Sequence, residues 1–418
     1  MKFSATVLAV AAFVGLPVVF ADAQIKNLNV ASDKVVPDKY IVSYKKGADK
    51  AKCKKHEEAL SKKAKKNKKS GVVTNVDLGG YSGYVAEVTG EELKDILKSD
   101  LVDYVEKDTI VTIQRVAAPA EQELTAREEL AKRAYVTQTQ AAWGLGRISH
   151  KEQGFAEYYY DNTAGKGIRV YVLDTGIRIA HEEFGGRAVW GRNFIAGSPN
   201  SDEQGHGTHV AGTIGGKKYG VAKAATLVAV KILNKDGRGS TSGIISGLNW
   251  VLADAKAKNI LKKAVINMSV GGTYNSALNS AVAAATKAGI TVVVAAGNDA
   301  DLVNFYSPAS EASAITVGAI EGTDSRAWFS NYGSLVDIFA PGVSVLSASH
   351  KANNAYKYLS GTSMACPHVA GLAAYFISKE KLSGSTAVTN RIIAASLKGI
   401  VGDAGGSQNR LAYNAGGK

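Results

Sequence analysis

From Ile168 onward the chain alternates short, near-continuous apolar runs with alanine-rich stretches. Arg169-Val170-Tyr171-Val172-Leu173 is followed by Thr226 to Ile232, Ala264 to Met268, Thr291 to Ala295 and Ala314 to Val317. A strand that is apolar at nearly every position has no face to offer water, so it must be covered on both sides. Such strands, separated by helical segments, predict an α/β fold: a parallel β-sheet flanked by helices on both faces. With 418 residues, 45% of them hydrophobic, the chain can fill a core of that size and still hold a second, smaller unit.

The smaller unit is legible ahead of the sheet. From Lys39 to about Ile113 the pattern reads strand (Tyr40 to Tyr44), lysine-rich helix, strand (Val72 to Leu78), strand (Tyr84 to Val88), helix (Glu91 to Lys98), strand (Val102 to Val105). That order predicts a small α+β, ferredoxin-like βαββαβ domain with two helices on one face. Before it, Met1-Lys2-Phe3 leads into an apolar run from Thr6 to Ala21 that closes on Ala21-Asp22-Ala23. This is the small-x-small ending of a secretory signal, so residues 1–23 read as a signal peptide and the protein as secreted and extracellular. The run falls short of the ~20 residues of a membrane span, which makes a signal anchor the lesser alternative. After it, Ala117 to Arg133 is rich in Ala, Glu and Gln and ends in Lys132-Arg133, an accessible dibasic site. The expected division is 1–23, then 24–133 (the small domain 39–113 plus linker 114–133), then 134–418.

The formal charge is +13, but the basic residues are scattered and no aromatic-basic pattern accompanies them, so nucleic acid is not an expected partner. Only Cys53 and Cys366 occur, one in each half, which excludes a disulfide framework.

Three segments end or follow apolar strands, where parallel α/β sheets place their ligand crevices. Val172-Leu173-Asp174-Thr175-Gly176 carries an acid, Gly205-His206-Gly207-Thr208-His209 two histidines, and Gly361-Thr362-Ser363-Met364-Ala365-Cys366-Pro367 a serine among small residues at a helix start. Serine needs a base, and the base an orienting acid, before it is a useful nucleophile. The chain order Asp, His, Ser is one of three known for such triads. From these residues the chain resembles the subtilases, in particular the proteinase K and oryzin group of fungal serine proteases. The likeness extends from Trp143-Gly144-Leu145-Gly146-Arg147 to Leu411-Ala412-Tyr413-Asn414, and residues 39 to 113 resemble the family's inhibitory propeptide.

The resemblance implies a zymogen of a broad-specificity serine endopeptidase that acts as a monomer on protein substrates, needs no catalytic cofactor, and is inhibited by its own propeptide. It implies Ser363 as nucleophile, His206 as base, Asp174 as orienting acid and Asn298, in Val294-Ala295-Ala296-Gly297-Asn298, as oxyanion donor. It implies a cleft walled by Gly237, Gly239, Thr241, Ser269, Val270 and Gly271, with a primary pocket that includes Ala295 and Gly297. No acid lies in these segments, so an apolar or aromatic residue is expected before the cut. A structural calcium is implied at Asp337 with the carbonyls of Ala312 and Ala314. His209, His368 and Cys366 are expected to be packing residues, and the Asn267-Met268-Ser269 sequon to be unmodified in a core strand. Removal of the propeptide is expected at Arg133 by a dibasic-specific enzyme, nearer Ile113 by self-cleavage, or at both in sequence. Two competing readings stay open at this point: a silent binding protein on the same fold, and a metal-dependent hydrolase using His206, His209 and Asp174.

Overall fold

The computed structural model describes residues 22–116 and 135–417. The signal-like run before Asp22, the linker from Ala117 to Arg133 and the expected start at Ala134 lie outside the described residues.

The first unit comprises β1 (Val35–Tyr44), α1 (Lys50–Lys66), β2 (Gly71–Asp77), β3 (Ser82–Glu87), α2 (Gly90–Leu97) and β4 (Val102–Ile113). Asp49 caps α1 by accepting from Lys52 N–H, and Thr89 with Glu92 forms a capping box on α2. The strands pair in the order β4-β1-β3-β2, the ferredoxin-like arrangement the sequence predicts. Two differences concern its ends. A short strand at Gln24–Ile25 pairs with β4, so the unit begins before Lys39. The last strand runs eight residues beyond Val105, because its second half pairs with segments more than 100 residues away that no local pattern announces.

The second unit is built on a sheet that is nine-stranded among the described residues. Its members in chain order are β5 (Arg169–Asp174), β6 (Ala188–Asn193), β7 (Thr226–Lys231), β9 (Ala264–Met268), β11 (Thr291–Ala295), β12 (Ile315–Ile320) and β13 (Ile338–Pro341), with two short strands at the edge. They align as β6-β7-β5-β9-β11-β12-β13, every one of these pairings parallel. Between them lie β8 (Arg238–Ser240) and β10 (Val270–Thr273), and the helices α3 (His206–Gly215), α4 (Thr241–Ala257), α5 (Ser276–Lys287), α6 (Thr362–Glu380) and α7 (Ser385–Ala395).

The period-two alternation of β5 separates two cores. Val170 and Val172 pack with α3 and α6 residues such as Val210, Ile214, Leu372 and Phe376. Tyr171 and Leu173 point the other way, to Ile245 and Leu248 of α4 and Leu278 and Val282 of α5. Ile41, Val76, Leu78, Tyr104 and Val111 of the small domain belong to this second core. The small sheet therefore lies with its open face on α4 and α5, while α1 and α2 cover its other face through Leu60, Ala64 and Ile96. Full burial of one such side chain contributes roughly 1.5–3 kcal/mol, so this face is a substantial interface. Among the described residues no helix is long and apolar enough to cross a membrane.

Candidate active site

Asp174 is the last residue of β5, still in register with Lys231 of β7. His206 opens α3, preceded by Gly205 at φ 95°, a conformation suited to glycine; a Cβ there would also collide with His350. The two are fully buried, and His206 Nδ1–H donates to both carboxylate oxygens of Asp174, at 2.8 and 2.9 Å. A carboxylate only accepts, so this contact puts the proton of a neutral imidazole on Nδ1 and leaves the Nε2 lone pair free. Nε2 is buried and has no partner.

Ser363 lies in the first turn of α6, after Gly361 at φ 149°. Its Oγ donates to the Ser269 carbonyl at 3.0 Å, and Ser269 Oγ in turn donates to the Ser363 carbonyl at 3.0 Å. The Ser363 N–H donates to the carbonyl of Gln114, a residue just past the end of β4, at 3.0 Å. Asn298 follows β11, and its Oδ1 accepts from Thr362 N–H (2.8 Å) and Thr362 Oγ1 (2.9 Å). Those two bonds fix the amide plane, and its Nδ2 is a buried donor with no partner. A Cβ on Gly361 would lie 2.6 Å from the Gln114 oxygen and 3.4 Å from Asn298 Nδ2, so both flank the same spot.

The end of β4 threads a slot between β8 and β10, pairing antiparallel with each: Val111 faces Gly239, and Thr112 faces Gly271. Beyond the ladder, Ile113 N–H donates to Gly237 O (3.1 Å), Gln114 N–H to Ser269 O (3.3 Å) and Val116 N–H to Ser360 O (2.9 Å). The Gln114 side chain lies over Gly271, 3.1 Å from where a Cβ would stand, and the Ile113 side chain lies 2.9 Å from the same point on Gly237. Glycine at these positions lets the threaded strand approach. Thr241 is placed further out, its Oγ1 2.7 Å from Thr109 Oγ1. Val270 and Ala295 are buried beside the slot, and Gly297 adopts φ 108°.

Two carboxylates of β4 anchor this strand. Glu106 accepts from Ser276 N–H (2.9 Å) and Ala277 N–H (2.7 Å) at the start of α5, and Asp108 accepts from Ser242 N–H (2.8 Å) and Ser242 Oγ (2.6 Å) at the start of α4. They occupy the positive ends of two helix dipoles. Burial nevertheless pushes both carboxyls above their ordinary range, the N–H donors working the other way.

The remaining polar residues sort by partner. His209 Nε2 is directed at the carbonyls of Val345 (3.0 Å) and Lys357 (3.1 Å), away from Asp174, and burial holds its pKa well below normal. His368 bonds Met364 O at 2.8 Å, and burial lowers it to about 4. Cys366 is buried, with its thiol pushed up by burial and its Sγ donating to Asn267 Oδ1 at 3.3 Å. Asn267 itself lies wholly buried in β9. Among the described residues no group of three or more His, Cys, Asp or Glu is gathered to hold a metal, so His206, His209 and Asp174 form no such set. Asp337, just before β13, accepts one N–H from Thr316 at 2.9 Å, and burial raises it to about 6. One carboxylate completed by backbone carbonyls is a donor set that a hard cation accepts, and this is the set expected of Asp337, Ala312 and Ala314.

Comparison with known proteins decides the family. The pattern described as "Subtilase family" matches residues 165–411, more than half of the chain. The chain belongs to the subtilase family. The pattern "Peptidase inhibitor I9" matches residues 39–114, which identifies the small domain as an inhibitor-type propeptide. Subtilisin-like protease 1 of Pseudogymnoascus destructans is 45% identical over the whole of both chains. The cuticle-degrading serine protease of Arthrobotrys oligospora is 43% identical over 94% of this chain and 95% of its own. Alkaline protease 1 of Aspergillus clavatus is 42% identical over 92% of each. A crystal structure of a cold adapted subtilisin-like serine proteinase superposes with a TM-score of 0.62 at 44% identity, over 66% of this chain and 99% of that one. This subtilase is a serine protease that carries an inhibitor-type propeptide. Gln114, Glu106 and Asp108 were not singled out by the sequence; the only local signal was the acidic Glu106-Lys107-Asp108 just before an apolar run.

Proposed function

We propose that this subtilase is a secreted, monomeric endopeptidase of broad specificity in which Asp174, His206 and Ser363 form the catalytic triad and Asn298 donates to the oxyanion. The observation that carries the reading is the convergence on one carbonyl: the Ser363 N–H bonds the Gln114 oxygen, and the unpaired Asn298 Nδ2 borders the same spot. In the reaction Ser363 turns from the Ser269 carbonyl to His206. Its Oγ bonds the carbonyl carbon as its proton passes to His206 Nε2, and the charge developing on oxygen meets the two donors. His206 then returns the proton to the leaving amine as the C–N bond breaks. Water, deprotonated by the same imidazole, frees the acid from the acyl-serine. Asp174 holds the imidazole tautomer and stabilises its charged form throughout. A phosphonylating serine reagent should label the mature enzyme and not Ser363→Ala; equal labelling of both would overturn the assignment.

The register of β4 supports Gln114–Arg115 as the first bond cut, one residue beyond the Ile113 expected from the sequence. The segment Arg115–Arg133 would then be removed after Lys132-Arg133, giving a mature chain of 134–418. Ladder contacts made by main-chain atoms at Gly237, Gly239 and Gly271 are blind to side chains, which supports broad specificity. Gln114, whose side chain lies over Gly271, would widen the expected apolar or aromatic preference to neutral residues generally if it precedes the cut, and cleavage of a peptide library by the mature enzyme tests this. A calcium at Asp337 with the Ala312 and Ala314 carbonyls would tie β12 to β13, and thermal inactivation unchanged by a chelator would count against it.

A further inference from the structure

Asp202 lies in the loop before α3, is 6% exposed, and has every acceptor position of its carboxylate engaged. Its Oδ1 accepts from Thr175 Oγ1 (2.8 Å), Gln204 N–H (3.1 Å) and Gly205 N–H (2.7 Å). Its Oδ2 accepts from Thr208 N–H (2.9 Å) and Thr208 Oγ1 (2.6 Å). Thr175 follows Asp174, and its Oγ1 also accepts from Gly207 N–H at 2.9 Å, the residue after His206. One buried carboxylate thus stitches the turn that carries Asp174 to the first turn of the helix that carries His206. Across the sheet Lys231 ends β7 in direct register with Asp174. Its side chain is inaccessible, and Nζ donates to the Thr175 carbonyl at 2.6 Å, with Glu203 3.7 Å away and partly exposed. An uncompensated buried ammonium is costly, so a cation kept here has carboxylates to face.

We infer that Asp202 and Lys231 are positioning residues of opposite charge for the Asp174–His206 pair: both grip Thr175, and together they fix the imidazole's place and balance the field around it. The inference rests on the triad reading above. The charged and titratable groups around the pair are Asp202 and Glu203 from the loop, His209 from α3, Lys231 from β7 and His350 against Gly205; Arg178, Lys351 and Lys357 lie further out and act on His209 and His350. Of these Asp202 and Lys231 are the ones bonded to the residue that follows Asp174.

The sign of each charge gives the test. Removing a carboxylate near His206 makes the imidazolium less stable, so activity should persist to lower pH; removing a nearby ammonium should do the reverse. Full-length Asp202→Asn, Lys231→Met, the double variant and Thr175→Val are matured, and active sites are counted with the phosphonylating reagent. kcat/KM is then measured against pH. We expect the acid limb to move down by about half a pH unit in Asp202→Asn and up by a similar amount in Lys231→Met, at the scale of Coulomb effects in a medium of intermediate dielectric. The double variant should fall between. Thr175→Val, which removes a hydroxyl and no charge, should lower kcat about tenfold or more with KM within about twofold and the limb unmoved, a cost of misplacement. If Asp202→Asn fails to mature, Lys231→Met and Thr175→Val decide. An unmoved limb in Lys231→Met, or a wild-type kcat in Thr175→Val, overturns the inference. Failure of the triad reading is told apart because labelling would then survive in Ser363→Ala.

Discussion

Replacing Asn298 by alanine tests the oxyanion site, and two separate losses follow from its contacts. Asn298 Nδ2 has no partner in the resting site, so its removal costs the ground state nothing there and withdraws a donor only when charge develops on the substrate oxygen. Loss of one such donor slows turnover by about 10² to 10³, equivalent to roughly 2.7–4 kcal/mol. Asn298 Oδ1 accepts two hydrogen bonds from Thr362, so alanine also leaves that backbone N–H without its acceptor beside Ser363. An orphaned buried donor costs about 1–3 kcal/mol of stability. Asn298→Asp separates the two: it keeps both acceptor bonds and the shape while replacing the free donor by an acceptor. We expect kcat on a tetrapeptide anilide to fall by the same factor or more in Asn298→Asp, with KM nearly constant. Its melting temperature should exceed that of Asn298→Ala. Under the proposed self-cleavage, processing at the propeptide junction should slow in parallel. Turnover of Asn298→Ala within about threefold of wild type would refute the reasoning, because a donor aimed at the oxyanion cannot be that cheap to lose.

Other outcomes are specific to this chain. Full-length Ser363→Ala, sequenced from its N-terminus after secretion, should retain an intact Gln114–Arg115 bond while remaining open to cutting after Arg133; a new terminus at Arg115 in this variant would mean that another protease makes the first cut. Burial raises Glu106 and Asp108 in the docked propeptide, so the docked state holds protons more readily than the free one. Docking is then favoured below the ordinary carboxylate range and weakens as pH rises through the raised values; the inhibition constant of the propeptide should increase toward neutral pH, with a smaller change for Asp108→Asn, and a constant that falls instead would contradict it. Arg147 is buried with Nε and Nη2 on Asp324 (2.7 and 3.0 Å) and Nη1 on the His150 carbonyl, so Arg147→Met should cost about 3–5 kcal/mol in denaturant unfolding and leave kcat of the folded fraction unchanged. The Cys366 thiol, buried and held protonated, should resist iodoacetamide in the native enzyme, and rapid alkylation would show the helix start to be open.

How much of this was legible depends on whether a residue's role is set by its neighbours in sequence or by distant partners. The sheet was, because burial on both faces favours apolar residues at nearly every position: β9 and β11 are buried throughout and read as near-continuous apolar runs, broken only by Asn267 and the opening Thr291. The candidate triad was, because each member sits in a small-residue context imposed by local geometry, such as the positive φ before His206 and before Ser363. The reach of β4 was not, since Val111 and Thr112 are paired with glycines on other elements and nothing nearby marks their strand as continuing. Glu106 and Asp108 were equally hidden, capping helices 171 and 134 residues away. Asp202 caps its own helix start and could be taken for an ordinary turn acid; its bond to Thr175, not its sequence, makes it a tie between two segments of the candidate triad. Lys231 differs from these. A lysine inside the apolar run Thr226 to Ile232 violates the rule that predicts the strand, and a buried cation in a core strand calls for nearby negative charge. The exception to the pattern pointed at the same cluster that the Asp-His-Ser order did, and it could have been found from residues alone by asking which carboxylates such a charge must face.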